Sequence, residues 1–335
     1  MCTGNDPQDV SRSPETLGAL RLPTDSERVT DEDEEVFLIY SNLLSTSSSA
    51  GETTGFRGLG HVDSQKDLLD INFEITLPAL SLRETGKSAS RRARGGHKGR
   101  TKVISIMLAQ DKTALRTRKG DTGSVLWKAS IDFAQLILHQ IHTSPTSSLF
   151  DPQKLKQQRI LELGSGTGLL SILLSPYVAH YTATDVPDLI PLIRKSLALN
   201  FHSWGSRRTD GVDSTLPLPG SNITVHPFDW ITLSTTPSHL RHKLTSFLDP
   251  PDLILVIDCI YHPSLLPPLV TAIHHLAIPD HTLVFILVEL RAEDVIREFL
   301  RLWLATPGWR IWRMGGGVFD APYIAWVGQR SALEI

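Results

Sequence analysis

Residues 159–174 read Arg159-Ile160-Leu161-Glu162-Leu163-Gly164-Ser165-Gly166-Thr167-Gly168-Leu169-Leu170-Ser171-Ile172-Leu173-Leu174. A short apolar strand candidate (159–163) runs into three glycines at alternate positions, and an apolar helical segment follows at once. Glycines at such a turn let a ligand approach the backbone, and the helix start behind them offers free N–H groups. The next strand candidate, 179–184, ends in Asp185. That acid lies about twenty residues beyond the loop, where a carboxylate at a strand tip can take both hydroxyls of a ribose. Together the two features predict an adenosine-containing ligand at the carboxyl edge of a sheet.

Outward from this motif, strand candidates at 222–226, 252–257, 282–288, 309–313 and 323–328 alternate with helix candidates at 167–175, 188–200, 264–277 and 292–305. In the last helix Val295, Ile296, Phe299, Leu300, Trp303 and Leu304 form one apolar stripe. Strands that are apolar throughout and spaced by helices imply a mostly parallel sheet covered on both faces, an α/β fold with seven strands in a Rossmann-like arrangement. The Gly-rich connection 314–321 suffices for a hairpin but not for a crossover helix, so the last strand is expected to run antiparallel. Upstream, 70–77 and 101–109 read as a β-hairpin with a long insertion, followed by an amphipathic helix at 129–142. Three units are expected: a disordered or weakly structured acidic segment (1–54) with a short helix at Val36–Leu44, a hairpin unit (55–120), and the α/β domain (121–335).

The composition is ordinary for a globular chain: of 335 residues 41% are apolar and 21% charged, enough to bury a sizeable core. Cys2 and Cys259 are the only cysteines, which excludes a disulfide scaffold and a four-thiolate zinc site and fits a reducing compartment. No metal site is expected. Apolar runs such as Leu283–Val288 fall far short of a membrane span, and the first twenty residues lack an apolar signal core. The expected location is the cytoplasm, with the nucleus also open. The net charge of −3 hides an asymmetry: residues 1–40 carry ten acids against three arginines, and residues 83–119 carry twelve Lys or Arg against two acids. The basic stretch reads either as a contact for RNA or a ribosomal particle, or as a solvated loop.

The glycine spacing chooses among adenosine-containing ligands. A dinucleotide fingerprint would place a glycine at position 169, which is Leu. The sequence Glu162-x-Gly164-x-Gly166-x-Gly168 instead resembles the S-adenosylmethionine loop of class I methyltransferases. Asp258-Cys259-Ile260-Tyr261, at the end of the 252–257 strand, lacks the adjacent prolines of enzymes that methylate base amines or glutamine amides. It resembles the D-x-x-Y of seven-strand protein-lysine methyltransferases, as do the pair Asp229-Trp230 and the upstream Trp127.

Over about residues 55–330 the chain resembles the ribosomal lysine methyltransferase five family of fungi, kin of the lysine methyltransferase acting on the valosin-containing ATPase. The resemblance is carried by the strand Ile71–Leu77, the basic insertion, Gly123–Trp127, the glycine loop, Asp229-Trp230, Asp258–Tyr261 and Glu289-Leu290-Arg291. The chain departs from it at Ile231, where relatives often carry Glu. The resemblance implies a class I methyltransferase domain using S-adenosylmethionine to methylate a lysine of a protein, ribosomal or related to translation, and working as a monomer. Carried over by position, Trp127 closes over the methionyl side of the cofactor and Gly164, Ser165 and Gly166 wrap it, with Glu162 just before the loop as a nearby acid. Asp185 holds the ribose, Trp230 and Ile257 flank the adenine, and Asp258 and Tyr261 line the amine channel as the catalytic pair. An RNA methyltransferase and a non-catalytic binding module remain open as alternatives. A serine hydrolase does not, since no G-x-S-x-G elbow occurs.

Overall fold

The computed structural model describes residues 16–49, 60, 62–63, 65–77, 100–111, 113, 122–143, 147–202, 204, 218–315 and 317–332. Strands β1 (Thr16–Leu17), β2 (Leu20–Arg21) and β3 (Glu27–Val29) precede helix α1 (Glu32–Ser49) and the pair β4 (Leu68–Thr76) and β5 (Thr101–Ala109). Then come α2 (Lys128–Thr143), the single turn α3 (Pro152–Leu155), β6 (Arg159–Leu163), α4 (Leu169–Leu174), β7 (His180–Asp185), α5 (Ile190–Asn200) and β8 (Ile223–Pro227). The chain ends with α6 (Trp230–Thr235), α7 (Arg241–Leu244), β9 (Leu253–Ile257), α8 (Leu266–Leu276), β10 (Leu283–Glu289), α9 (Glu293–Leu304), β11 (Trp309–Arg313) and β12 (Tyr323–Arg330).

The main sheet has the order β3-β11-β12-β10-β9-β6-β7-β8. Strands β6 to β10 pair in parallel with their neighbours among themselves, and β12 runs antiparallel to both β10 and β11. The seven expected strands, with the last reversed, are therefore β6 to β12, in a Rossmann-like class I arrangement. An eighth strand corrects the expectation. β3 pairs with the edge strand β11, Ile311 opposite Val29, and α1 packs on α9. Residues 16–49 thus belong to the α/β body instead of forming a weakly structured acidic tail, while the expected helix at Val36–Leu44 lies within α1. What holds them is remote in sequence: buried Glu35 accepts from Trp326 Nε1 at 2.8 Å and from Arg313 Nη1 at 2.9 Å. Burial raises the Glu35 carboxyl, while Trp326 and Arg313 pull it back down. The basic residues 83–99 lie outside the described residues.

Strand alternation divides the interior in two. Leu253, Leu255 and Ile257 of β9 and Leu283, Phe285 and Leu287 of β10 face one core, shared with α2, α4, α5 and the β4–β5 hairpin. Ile254, Val256, Val284, Ile286 and Val288 face the other, shared with α1, α8 and α9. Each strand buries both its faces, which explains their uniformly apolar sequence. The chain leaves β6 toward β7 and β8 on one side and reaches β9 and β10 on the other. The strand order therefore reverses between β6 and β9, and a crevice opens beyond their carboxyl ends.

Candidate active site

The loop after β6 is laced to the tip of β7. The N–H groups of Gly164 and Ser165 both donate to Thr184 O at 3.0 Å, Thr184 N donates to Ser165 Oγ at 3.1 Å, and Gly166 N donates to Asp185 Oδ2 at 2.7 Å. The other Asp185 oxygen accepts from Val186 N at 2.8 Å. Gly164 adopts φ +75°, and a Cβ there would lie 2.6 Å from Cys259 Sγ and 3.5 Å from the Trp230 ring. Only glycine satisfies both that dihedral and that gap. Behind the loop, buried Glu162 accepts from Tyr181 Oη at 2.9 Å. Burial pushes its carboxyl up to about 7; hydrogen bonds from Tyr181 and Ser165 oppose the rise, and the charge of Asp185 adds to it.

The opposite wall begins where β9 ends. Asp258 N still donates to Leu287 O of β10 at 2.7 Å, but the residue itself turns to φ +58°. A left-handed conformation at a residue other than glycine costs on the order of 1–3 kcal/mol and persists only when its surroundings fix it. Arg291, just past β10, supplies that: Nη1 donates to Asp258 Oδ1 at 2.8 Å and Nη2 to Oδ2 at 2.7 Å, a bidentate fork. Nη2 also donates to Glu289 Oε2 at 2.7 Å, and the guanidinium lies 5.2 Å from the centre of the Trp127 ring. Trp127 Nε1 is anchored on Thr122 O at 2.7 Å.

The remaining walls are apolar or aromatic. Asp229 caps α6, accepting from Ile231 N at 2.9 Å, and so presents Trp230 as the first residue of that helix. The acid of the Asp229-Trp230 pair thus accounts for itself as a helix cap. Ile257 is buried, and Tyr261 is 36% exposed at the cleft mouth. Between them Cys259 is buried, and burial raises its thiol well above the ordinary value, with Asp185, Asp258 and Glu162 adding to the rise. That disfavours a thiolate nucleophile at this position.

All ten residues singled out from sequence, namely Trp127, Glu162, Gly164, Ser165, Gly166, Asp185, Trp230, Ile257, Asp258 and Tyr261, line this single cleft. Phe228, Asp188 and Leu189 line it too. The sequence motif Glu289-Leu290-Arg291 includes Arg291 but gives it no role, and no motif in the sequence includes Gly60. A Cβ on Gly60 would meet Arg291 Nη2 and Glu289 Oε2 at 2.8 Å and Trp127 Cε3 at 3.4 Å, so its backbone lies directly on this ion cluster. Nothing local in the sequence marks that position. Among the described residues no group of three His, Cys, Asp or Glu side chains is placed to hold a metal ion, and no helix is long and apolar enough to cross a membrane.

The donor set suits a ligand that combines cationic and hydroxyl groups with a flat base. Glu162, Asp185 and Asp258 supply acceptors, while Trp230 and Ile257 supply flat apolar surface. The gap at Gly164, which a Cβ would fill, leaves backbone bare toward the cleft. A sequence profile described as lysine methyltransferase matches residues 109–302. The chain belongs to that lysine methyltransferase family. Among curated relatives of this family member, a diaminohydroxyphosphoribosylamino-pyrimidine deaminase of Schizosaccharomyces pombe is 33% identical over 198 residues, covering 58% of this chain and 41% of that protein. Ribosomal lysine N-methyltransferase 5 of Eremothecium gossypii is 28% identical over 229 residues (59% of this chain, 71% of the relative), and that of Zygosaccharomyces rouxii is 24% identical over 294 residues (80% and 86%).

The chain thus spans less than half the length of the deaminase, whose name describes a larger protein.

Proposed function

We propose that this member of the lysine methyltransferase family transfers a methyl group from S-adenosylmethionine to the side-chain amine of a lysine in a ribosomal protein, a large-subunit protein being the first to test. The observation that carries the proposal is the convergence of the glycine loop, Asp185 and the Asp258–Tyr261 pair on one cleft. The relatives named as ribosomal lysine methyltransferases support the choice of substrate. We assign the working protein to the cytoplasm, as a monomer, and the basic stretch 83–119 to contact with the ribosomal particle or its RNA.

When bound, S-adenosylmethionine supplies an already activated methyl group. The chain's own task is then to present a neutral amine in line with it, which is mainly positioning. A lysine with pKa about 10.4 is almost wholly protonated near neutrality, and desolvation in a narrow channel lowers that value. Half-exposed Tyr261 at the mouth would meet the amine through its hydroxyl or ring, and Asp258 would orient it or hold the methionyl end. Asp185 would take the ribose hydroxyls, and Trp127 would close the methionyl side against water. The test is to incubate the protein and labelled S-adenosylmethionine with ribosomes from a strain lacking it. Label in a single large-subunit protein, insensitive to nuclease, is expected. Label removed by nuclease would replace this reading with RNA methylation, and cofactor binding without any transfer would replace it with a binding module.

A further inference from the structure

We infer that Arg291 is a positioning residue of the methyl-transfer site, one that fixes Asp258 and Trp127 together, and that Gly60 covers its guanidinium. The inference rests on the methyltransferase reading above and extends it to residues that reading does not use. A salt bridge that served only to hold the sheet together would have no reason to touch the cleft at both ends. Here one partner, Asp258, and the ring under the guanidinium, Trp127, both line the cleft. The Asp258 side chain is 2% exposed and that of Arg291 29%, so the fork works largely out of solvent and is screened little by it.

The geometry needs an arginine. Two N–H groups reach the two oxygens of Asp258 at 2.8 and 2.7 Å, Glu289 takes a further bond at 2.7 Å, and the planar cation still lies against the Trp127 ring. A lysine carries the charge but cannot supply the fork and the flat face at once. The left-handed backbone of Asp258 sets the direction in which its side chain leaves, and the fork removes the rotation that remains. The cover comes from ahead of the hairpin. Gly60 O accepts from Lys128 N at 2.8 Å and Val62 N donates to Leu126 O at 3.0 Å, which ties Gly60 to the residues on either side of Trp127. Gln110 strengthens the tie, donating to Asp63 O at 2.6 Å and accepting from Leu126 N at 2.7 Å. With φ +84° and atoms of three side chains within 3.4 Å of a Cβ, position 60 admits nothing larger than glycine without displacing the guanidinium. Asp258 and the Trp127 ring, which both line the cleft, therefore move as one unit.

A double-mutant cycle in the full-length chain tests this, using Arg291→Lys, Trp127→Leu and the double variant. Three quantities are read: S-adenosylmethionine affinity by calorimetry, single-turnover methyl transfer, and the melting temperature. Arg291→Lys is expected to melt within about 3 °C of the parent. Its cofactor affinity should fall roughly 5- to 10-fold and its transfer rate at saturating cofactor roughly 10- to 100-fold. The double variant should bind no worse than about twofold below the weaker single variant, because both changes break the same unit. Losses that multiply, or an Arg291→Lys protein with parental affinity and rate, would overturn the inference while leaving the methyltransferase reading intact. A parent that neither binds the cofactor nor transfers methyl would instead defeat that reading and the inference with it. Should Arg291→Lys fail to fold, Gly60→Ala keeps every side chain of the cluster and presses on the Arg291 guanidinium and the Glu289 carboxylate from the backbone side. It is expected to slow transfer more than it weakens cofactor binding, and parental kinetics in that variant would equally overturn the inference.

Discussion

The glycine-loop wall and the Asp258 wall face each other across one cleft and are held by different kinds of contact. On the first, Gly166 reaches Asp185 over 19 positions, within a single strand–loop–helix–strand unit. On the second, Asp258 meets Arg291 across 33 positions, and that guanidinium meets Trp127 and the backbone of Gly60 from still farther away. The first wall is backbone shaped by glycine and can form as soon as β6 and β7 pair. The second is charge held by charge and exists only once β10, the segment before α2, and Gly60 with Val62 have come together. Substitutions on the first wall should accordingly act chiefly on cofactor affinity, and those on the second chiefly on the rate of transfer.

The largest effect is expected from Asp258→Ala, which removes one side of a largely buried pair and leaves Arg291 without its principal partner. Single-turnover transfer should fall at least about 100-fold, equivalent to about 2.7 kcal/mol or more. Asp258→Asn, which keeps the shape, should recover only part of the rate. Nearly parental turnover in the alanine variant would erase the distinction between the two walls. On the other wall, Asp185→Ala should weaken S-adenosylmethionine binding by roughly 1.5–3 kcal/mol, the scale of hydrogen bonds to a charged group, with transfer at saturating cofactor much less affected. Calorimetry showing unchanged affinity in a folded Asp185→Ala protein would contradict the ribose contact.

Tyr261→Phe sharpens the comparison within the second wall. It keeps the ring and removes the hydroxyl, so the fold should hold while transfer drops roughly 10- to 100-fold, about 1.4–2.7 kcal/mol. Full activity on the native substrate would leave only a ring contact.

The smallest effect is a pH dependence on the first wall. Because the Glu162 carboxyl is raised to about 7 in the fold, chiefly by burial, its protonated form is the favoured one. Its contribution to stability is present below the unfolded carboxyl value and is lost as pH rises through about 7. A cationic cofactor beside it favours the ionised form, so affinity should increase with pH, roughly tenfold between pH 6 and 8. Melting curves with and without S-adenosylmethionine, compared between the parent and Glu162→Gln, check both signs. A variant with the same pH profile as the parent would assign the titration to another group.

The N-terminal segment shows where reading by composition fails. Its acidic run and serines resemble a solvated tail, yet Val36 and Ile39 are buried, Val29 pairs with β11, and Glu35 joins Trp326 to Arg313. A buried glutamate looks like any other until its partners, some 280–290 positions away, are in place. Asp229 is the reverse case: it belongs to the Asp229-Trp230 signature, and its hydrogen bonds are local ones that cap α6 and present the tryptophan at the cleft.

By itself the sequence determined the doubly wound sheet, its reversed last strand, the glycine loop with Asp185, and ten residues that share one cleft. Apolar periodicity, glycine spacing and strand-tip position all act over one or two elements, and such short-range rules leave their mark on neighbouring residues. Only the tertiary structure decided that a strand ahead of the hairpin joins the sheet edge and that α1 packs on α9, that Arg291 grips Asp258, and that Gly60 lies over the pair. Those contacts join residues with no sequence period in common, and their energy comes from removing charges and edge hydrogen bonds from water, which happens only after the chain has closed on itself.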